Sequence, residues 1–94
     1  MRACKVDANQ QEIVKALRKA GCIVHCTHAA GAGFPDLVVG RHGVIYMLEI
    51  KDGAKPPSAQ KLTKDQFVFH ELWNGYVSVV NCVDEALIAV GAMK

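Results

Sequence analysis

The sequence of 94 residues predicts an α/β fold in which helices flank a mixed β-sheet, in the order αβββαβα. Two observations support this prediction. Apolar residues recur at helical spacing in separate segments, and short β-branched runs bounded by turn residues lie between those segments. The length suits one domain that buries its own core without disulfides, so we expect a single domain over residues 1–94.

The N-terminal part predicts a helix, a strand and a loop. Apolar residues at helical spacing predict the helix over residues 9–20, and a glycine follows it. Asn9 with Glu12 three residues later has the pattern of a capping box at the helix start. Residues 22–27 predict a short strand, and the glycine- and alanine-rich residues 29–33 predict a loop.

A β-hairpin is predicted next, with strands over residues 37–40 and 44–51. Both runs are apolar and β-branched, and an Arg-His pair lies between two glycines at the turn. If the two glycines face each other, Asp36 pairs with Met47 and lies diagonal to Glu49, with about 7 to 8 Å between the backbones.

Three charged side chains converge on one face of this hairpin. Glu49 and Lys51 share that face because alternate strand residues point the same way, and Asp36 is close enough for the carboxylates to share a cation. Carboxylate oxygens suit Mg²⁺ or Mn²⁺, whose bound water can be acidified, and a lysine can stabilise charge on a phosphate. The pattern predicts metal-dependent phosphodiester hydrolysis, with a salt-bridged surface cluster as the alternative.

The C-terminal part predicts a lysine-rich loop, a helix over residues 66–74, a strand over 76–81 and a final helix over 84–90. Thr63 and Asp65 are the two candidate caps of the first of these helices. Its aromatic side chains are expected in the core rather than at a partner interface, and they are Phe67, Phe69 and Trp73.

Charge and composition restrict the possible partners. The net charge of +2 does not by itself indicate a nucleic-acid partner, but lysines concentrate after the two acids and form a local basic patch. No segment approaches a membrane-spanning length, and the N-terminus does not resemble a secretory signal. We therefore expect a cytoplasmic protein with no membrane partner.

The cysteines are expected to be reduced thiols, because no export signal accompanies them. The segment CIVHCTH contains residue types that bind zinc, but strand periodicity sends Cys22 and Cys26 to one face and His25 to the other. Buried free thiols are the prediction. A structural zinc site on Cys22, Cys26 and His28 is the minor alternative.

Three stretches taken together, FPDLVVG, LEIKDG and KLTKDQFVFHELW, resemble the VRR-NUC branch of the PD-(D/E)xK nucleases in its short phage and prophage form. The resemblance runs from about Asn9 to the C-terminal helix. It implies a restriction-endonuclease-like core, a metal-dependent endonuclease and relatives among archaeal Holliday junction resolvases. It also implies a homodimer acting on branched DNA, with four-way junctions the first candidate, in a bacterial or phage-infected cell.

The resemblance assigns roles by position. Asp36 is the hairpin aspartate, Glu49 and Lys51 are the ExK pair, and Gln66 is the glutamine that opens the following helix; these four are implied catalytic residues. Asp36, Glu49 and the backbone carbonyl of Ile50 are the implied metal ligands. The residues expected to contact DNA are Lys55, Lys61, Lys64 and His70, the last because it lies one turn after Gln66.

The first helix leaves one assignment open, because family members usually place an acid there that points at the metal. Gln10 shares a face with Ile13 and Leu17 and has the better direction, whereas Glu12 has the better chemistry. We assign a catalytic and metal-binding role to Glu12. A capping or solvated carboxylate is the alternative for this residue.

A different class of function also fits these residues. A nucleic-acid-binding module that keeps the nuclease fold without cleaving would use the lysines for phosphates and would need no cation.

Overall fold

The computed structural model describes residues 9–94 and confirms the predicted order αβββαβα. The helices are α1 (Gln10–Lys19), α2 (Lys64–Leu72) and α3 (Val83–Ala89). The strands are β1 (Ile23–Cys26), β2 (Leu37–Arg41), β3 (Val44–Ile50) and β4 (Tyr76–Val80). Between residues 9 and 94, no helix is both long and apolar enough to cross a membrane.

The four strands form one sheet in the order β1-β2-β3-β4. The first three strands are antiparallel neighbours, and β4 pairs with β3 in parallel, so the sheet is mixed as predicted. Because parallel neighbours need a crossover connection, the segment between β3 and β4 is long, and it contains α2.

One face of the sheet forms the hydrophobic core with α1 and α3. The apolar stripe of α1 packs there, with Ile13 and Leu17 fully excluded from solvent. The strands contribute their alternate residues, since only these point toward the helices. The strand side chains in this cluster are Val24, Leu37, Val39, Leu48, Ile50 and Val80. Glu49 lies between Leu48 and Ile50 in the chain, so its side chain points to the opposite face of the sheet.

The hairpin register differs from the prediction by two residues. The turn residues are His42 and Gly43, whose φ values of 50° and 79° are both positive, as in the tightest two-residue hairpin loops. Leu37 consequently pairs with Leu48 and not with Tyr46. A shift of two residues leaves every side chain on its predicted face, because the side-chain period of a strand is also two.

Helix α1 starts where predicted but without the predicted capping box. Asn9 occupies the N-cap, yet its side chain makes no bond to the helix. Its amide instead donates to the backbone carbonyls of Lys51, at 3.2 Å, and Asn81, at 3.1 Å. The prediction that Asn9 and Glu12 cap each other is wrong, because the Asn9 Oδ1, the atom that would accept from the helix, makes no hydrogen bond in the described part of the chain.

Helix α2 has the capping box that α1 lacks. Thr63, one of the two predicted caps, accepts a hydrogen bond from the backbone N–H of Gln66 at 3.2 Å. The Gln66 side-chain oxygen accepts in return from the backbone N–H of Thr63 at 2.9 Å. The helix begins at Lys64, two residues before the predicted start.

The aromatic side chains of α2 are not in the core, contrary to the prediction. Phe67 is 55% exposed and Trp73 is 40% exposed, and α2 contains no buried residue. Phe69 is partly covered, by Phe34 and by Trp73. Helix α2 contacts the sheet at the N-terminal end of the helix. Helical spacing alone did not show which part of the helix is covered.

The cysteine prediction is partly wrong. Cys22, Cys26 and Cys82 are free, but only Cys22 is buried, because Cys26 lies at the end of the edge strand β1. Cys4 lies outside the described residues. Among the side chains that the structure describes, which do not include that of His28, no three His, Cys, Asp or Glu side chains are grouped so as to hold a metal ion.

Candidate active site

The hairpin brings Asp36 and Glu49 to neighbouring strands. Met47 pairs with Val38, so the predicted pairing of Asp36 with Met47 is wrong. Continuing the observed register by one residue beyond Leu37 sets Asp36 opposite Glu49 instead of diagonal to it. Directly opposed residues lie closer than diagonal ones, so the observed register brings the two acids nearer together than the predicted one.

Asp36 is fixed by hydrogen bonds on both sides. Its backbone carbonyl accepts from the N–H of Thr27 at 2.7 Å, and the Thr27 hydroxyl donates to the carbonyl of Pro35 at 2.7 Å. Its side-chain Oδ2 accepts from the backbone N–H of Ile50 at 2.8 Å. The carboxylate is therefore tied directly to β3, beside Glu49.

Glu49 is a buried carboxylate, only 2% exposed. A buried charge is costly unless hydrogen bonds or an opposite charge compensate it. The Gln66 side-chain amide donates to Glu49 Oε2 at 3.0 Å, from the first turn of α2. This bond is the direct contact between α2 and the acid of the ExK sequence.

Gln66 also holds the lysine of the same sequence. Its Oε1 accepts from Lys51 Nζ at 2.9 Å, while the same oxygen accepts from the backbone of Thr63. One amide therefore bridges the carboxylate and the ammonium group, with its donor on Glu49 and its acceptor on Lys51. A carboxylate at position 66 could not donate the first of these bonds.

His70 lies one helical turn after Gln66 and is half-buried. Its Nε2 is buried, with no hydrogen-bond partner in the described part of the chain. Burial and, to a smaller extent, the charge of Lys51 lower the pKa of His70 below its usual 6.5, so the imidazole is neutral at pH 7. Its spacing of four residues from Gln66 sets His70 on the same side of α2 as the residue that contacts Glu49 and Lys51. Contact of His70 with DNA stays a prediction.

The three other lysines predicted to contact DNA are exposed. Lys55 and Lys61 lie in the connection between β3 and α2, and Lys64 is the first residue of α2. Because their side chains are exposed, they are accessible to a phosphate backbone. Their role stays a prediction.

The structure does not place Glu12 with these residues. Glu12 is exposed and lines a separate surface groove, together with Lys15, Ala16, Lys19 and Val83. Gln10, two positions earlier, is only 6% exposed and belongs to the buried side of α1. The helical period explains the difference, since two positions rotate a side chain by more than half a turn. The direction that favoured Gln10 is the observed one, so we no longer assign a site role to Glu12.

Two residues that support the site were not predicted from the sequence. Thr27 holds the backbone before Asp36, and Asn9 joins the ends of β3 and β4. The partners of Asn9 are 42 and 72 positions away, so no local pattern marks this role. For Thr27, a hydroxyl residue at the end of a predicted strand and shortly before a Pro-Asp pair is the available signal.

The donor atoms fit a small, hard cation. Asp36 and Glu49 have carboxylate oxygens, with Asp36 bonded to the backbone N–H of Ile50, the residue after Glu49. The Ile50 carbonyl stays a predicted third ligand. Mg²⁺ binds oxygen through one or two carboxylates and keeps several waters, and Mn²⁺ accepts the same donors. Two protein carboxylates and one carbonyl therefore suffice for such an ion.

An aspartate before one hairpin strand, an ExK sequence on the next and a glutamine on the crossover helix define a nuclease of the PD-(D/E)xK superfamily. The family model of the archaeal Holliday junction resolvase (Hjc) matches residues 2–68, and the chain belongs to that family. A solved structure described as a VRR_NUC domain is similar in fold, with a TM-score of 0.62 and 22% identity. The match covers 88% of this chain and 95% of that one. No curated protein sequence matches the chain.

Proposed function

We propose that the protein is a divalent-metal-dependent endonuclease that cleaves phosphodiester bonds in branched DNA, with four-way junctions as its substrate. The observation that carries the proposal is the bridge by Gln66 between the buried Glu49 and Lys51, next to Asp36. The Hjc family supports the choice of junction DNA.

Each residue of the cluster has a distinct task in this proposal. Asp36, Glu49 and the Ile50 carbonyl would hold Mg²⁺ or Mn²⁺, which when bound polarises the phosphate and makes a water molecule more acidic. Lys51 donates to a non-bridging phosphate oxygen and stabilises the charge that develops there. Gln66 fixes the position of the Lys51 ammonium group through its side-chain oxygen. Its side-chain N–H donates to Glu49.

Two cuts on opposite strands are needed to resolve a four-way junction, so we propose that the active form is a homodimer. Large apolar side chains exposed on and just after α2 support this proposal, because solvent-exposed apolar clusters of this kind mark association surfaces. These residues are Phe67, Val68, Leu72 and Trp73. Sedimentation at micromolar concentration should give twice the monomer mass.

The test of function is single-turnover cleavage of a synthetic four-way junction beside duplex and single-stranded DNA of the same sequence. Cleavage should require Mg²⁺ or Mn²⁺, stop on chelation and favour the junction. Ca²⁺ should support binding without the reaction.

The same experiment decides the alternative. A protein that binds all three DNAs with equal affinity in chelator, and cuts none in any metal, would be a non-cleaving binding module. Glu49→Gln is the matched control, because it removes one charge and keeps the shape of the side chain.

A further inference from the structure

Gly33 lies against the first turn of α2. Its φ is +82°, and a side-chain Cβ at this position would lie 2.5 Å from the carbonyl carbon of Asp65 and 2.8 Å from the backbone nitrogen of Gln66. Cβ atoms do not approach a backbone so closely, so any other residue pushes the loop and the helix apart. The loop can touch α2 here because residue 33 has no side chain.

Phe34 adds a second contact with the same helix. Its ring meets that of Phe69 edge-on, with centroids 5.3 Å apart, and Phe69 stacks on Trp73 at 5.2 Å. Edge-to-face and stacked pairs are favourable arrangements of aromatic rings. The aromatic contacts run along α2, one to two turns beyond the point that Gly33 touches.

These contacts are important because α2 has no buried residue to anchor it. The contacting residues also directly precede Pro35 and Asp36 in the chain. The segment that carries Asp36 into the site is thus the segment that holds the helix carrying Gln66.

We infer that Gly33 and Phe34 are positioning residues, which set the separation between the Asp36 strand and α2 so that Gln66 reaches both Glu49 and Lys51. The effect on cleavage rests on the proposed function. The effect on the helix does not, because the contacts belong to the fold.

The test compares Gly33→Ala with Gly31→Ala. Gly31 also has a positive φ, of 73°, yet a Cβ there meets nothing within 4 Å. The control therefore also places alanine at a positive φ, but without the clash. In single-turnover cleavage of the junction, Gly33→Ala should be about tenfold to hundredfold slower than the parent, since small misplacements of a site group have effects of that size. Gly31→Ala should cleave at nearly the parent rate.

A double variant separates positioning from general damage. In a Gln66→Ala background, Gly33→Ala should slow cleavage by less than about threefold, because the group that it misplaces is already absent. Equal losses in both glycine variants, or a full additional loss in the Gln66→Ala background, would overturn the inference.

Trp73 provides a measurement that needs no DNA, because it is the one tryptophan of the chain. Gly33→Ala should shift its emission and make it easier to quench with acrylamide, whereas Gly31→Ala should leave both unchanged. If the parent cleaves no substrate, the proposed function fails and this comparison alone decides the inference: parent-like emission of Gly33→Ala overturns it. If Gly33→Ala does not fold, Phe34→Leu takes its place in every measurement, with the same expected and contrary results.

Discussion

The two sides of the sheet are built differently. On one side, α1 and α3 pack apolar side chains such as Leu17 and Ala86 against the strands with no solvent exposure. On the other side, α2 buries no residue and is held by the contacts of Gln66 and by the loop before Asp36. The first side is a hydrophobic layer, and the second is a polar network with aromatic contacts.

Stability and the proposed chemistry are therefore expected to depend on different sides of one sheet. Burial on the α1 and α3 side contributes most of the hydrophobic free energy, since that term follows the apolar area removed from water. The α2 side contributes little burial but carries the groups that meet Glu49 and Lys51. Substitutions on the two sides should therefore separate loss of folding from loss of activity.

The largest effect is expected from the charged residues of the site. Asp36→Asn, Glu49→Gln and Lys51→Ala should each reduce junction cleavage at least about a thousandfold, because each removes a charge that the reaction uses. Circular dichroism and urea unfolding should show that the variants fold. Cleavage at the parent rate by all three would place the active site elsewhere.

Substitutions in the core should lower the stability of the fold, unlike those in the site, which should lower cleavage. Leu17→Ala should lower the free energy of unfolding by about 2 to 5 kcal/mol, through lost burial and the cavity left behind. Leu72→Ala, on α2, is the matched control in the monomer, at concentrations below those at which the proposed dimer forms, because Leu72 is 78% exposed there and the change should stay within about 0.5 kcal/mol. Urea denaturation measures both. Similar losses in the two variants would show that α2 is as much a part of the core as α1.

Gln66→Ala should slow single-turnover cleavage by about one to two orders of magnitude, comparable with losing one positioned donor. Junction affinity in Ca²⁺ should change little, because Gln66 bonds to protein groups and not to the exposed lysines. His70→Ala should slow cleavage less. If Gln66→Ala loses activity only through loss of DNA binding, the bridge is not what the reaction needs.

The thiols test the core side on a smaller scale. Cys22→Ser should lower the free energy of unfolding by about 1 to 3 kcal/mol, because it places a hydroxyl in an apolar site. Cys26→Ser, at an exposed position, should change it by less than about 0.5 kcal/mol. Neither should alter the metal dependence of cleavage. Stoichiometric zinc in the purified protein, lost in these variants, would contradict the assignment of both as free thiols.

The smallest effect concerns the acid side of the pH range. The pKa of His70 is lowered in the folded state, so the unfolded chain protonates this imidazole more readily than the folded chain does. The free energy of unfolding therefore falls as the pH drops below about 6.5. His70→Gln should flatten the dependence of unfolding free energy on pH in that window and leave it unchanged above pH 7. An unaltered slope between pH 5 and about 6.5 would contradict this pKa assignment.

The sequence predicted the properties of the hairpin that depend only on the strand period, namely which side chains share a face. The prediction misplaced the pairing of Leu37 by two residues, because it did not use the two-residue turn at His42 and Gly43. The charged groups still share a face, since the error was a multiple of the side-chain period. Periodicity alone thus placed the three charged residues on one face, whereas the register, which depends on the turn, was not predicted.

Tertiary contacts decided the features that the sequence did not show. Asn9 has the composition of a cap but bonds to Lys51 and Asn81, which are distant in the chain. Phe67 and Trp73 have core-like side chains at helical spacing, yet the covered part of α2 is the polar first turn at Gln66. Amphipathic patterns identify the side of a helix that is covered when the covering is apolar, and here it is polar.

The parallel pairing of β4 with β3 has a consequence for the order of folding. Hairpin contacts between β2 and β3 are local in sequence, whereas the contacts of β4 form only after the whole crossover closes, which costs more chain entropy. Pulse-labelled hydrogen exchange during refolding should show protection of β2 and β3 amides before those of β4. Asp36 and Glu49 would then come together early, before Gln66 of α2 contacts Glu49. A chain still emerging from the ribosome would carry its ligand oxygens but no ordered bridge to Lys51, so its capacity to cut DNA would be the last property that folding produces.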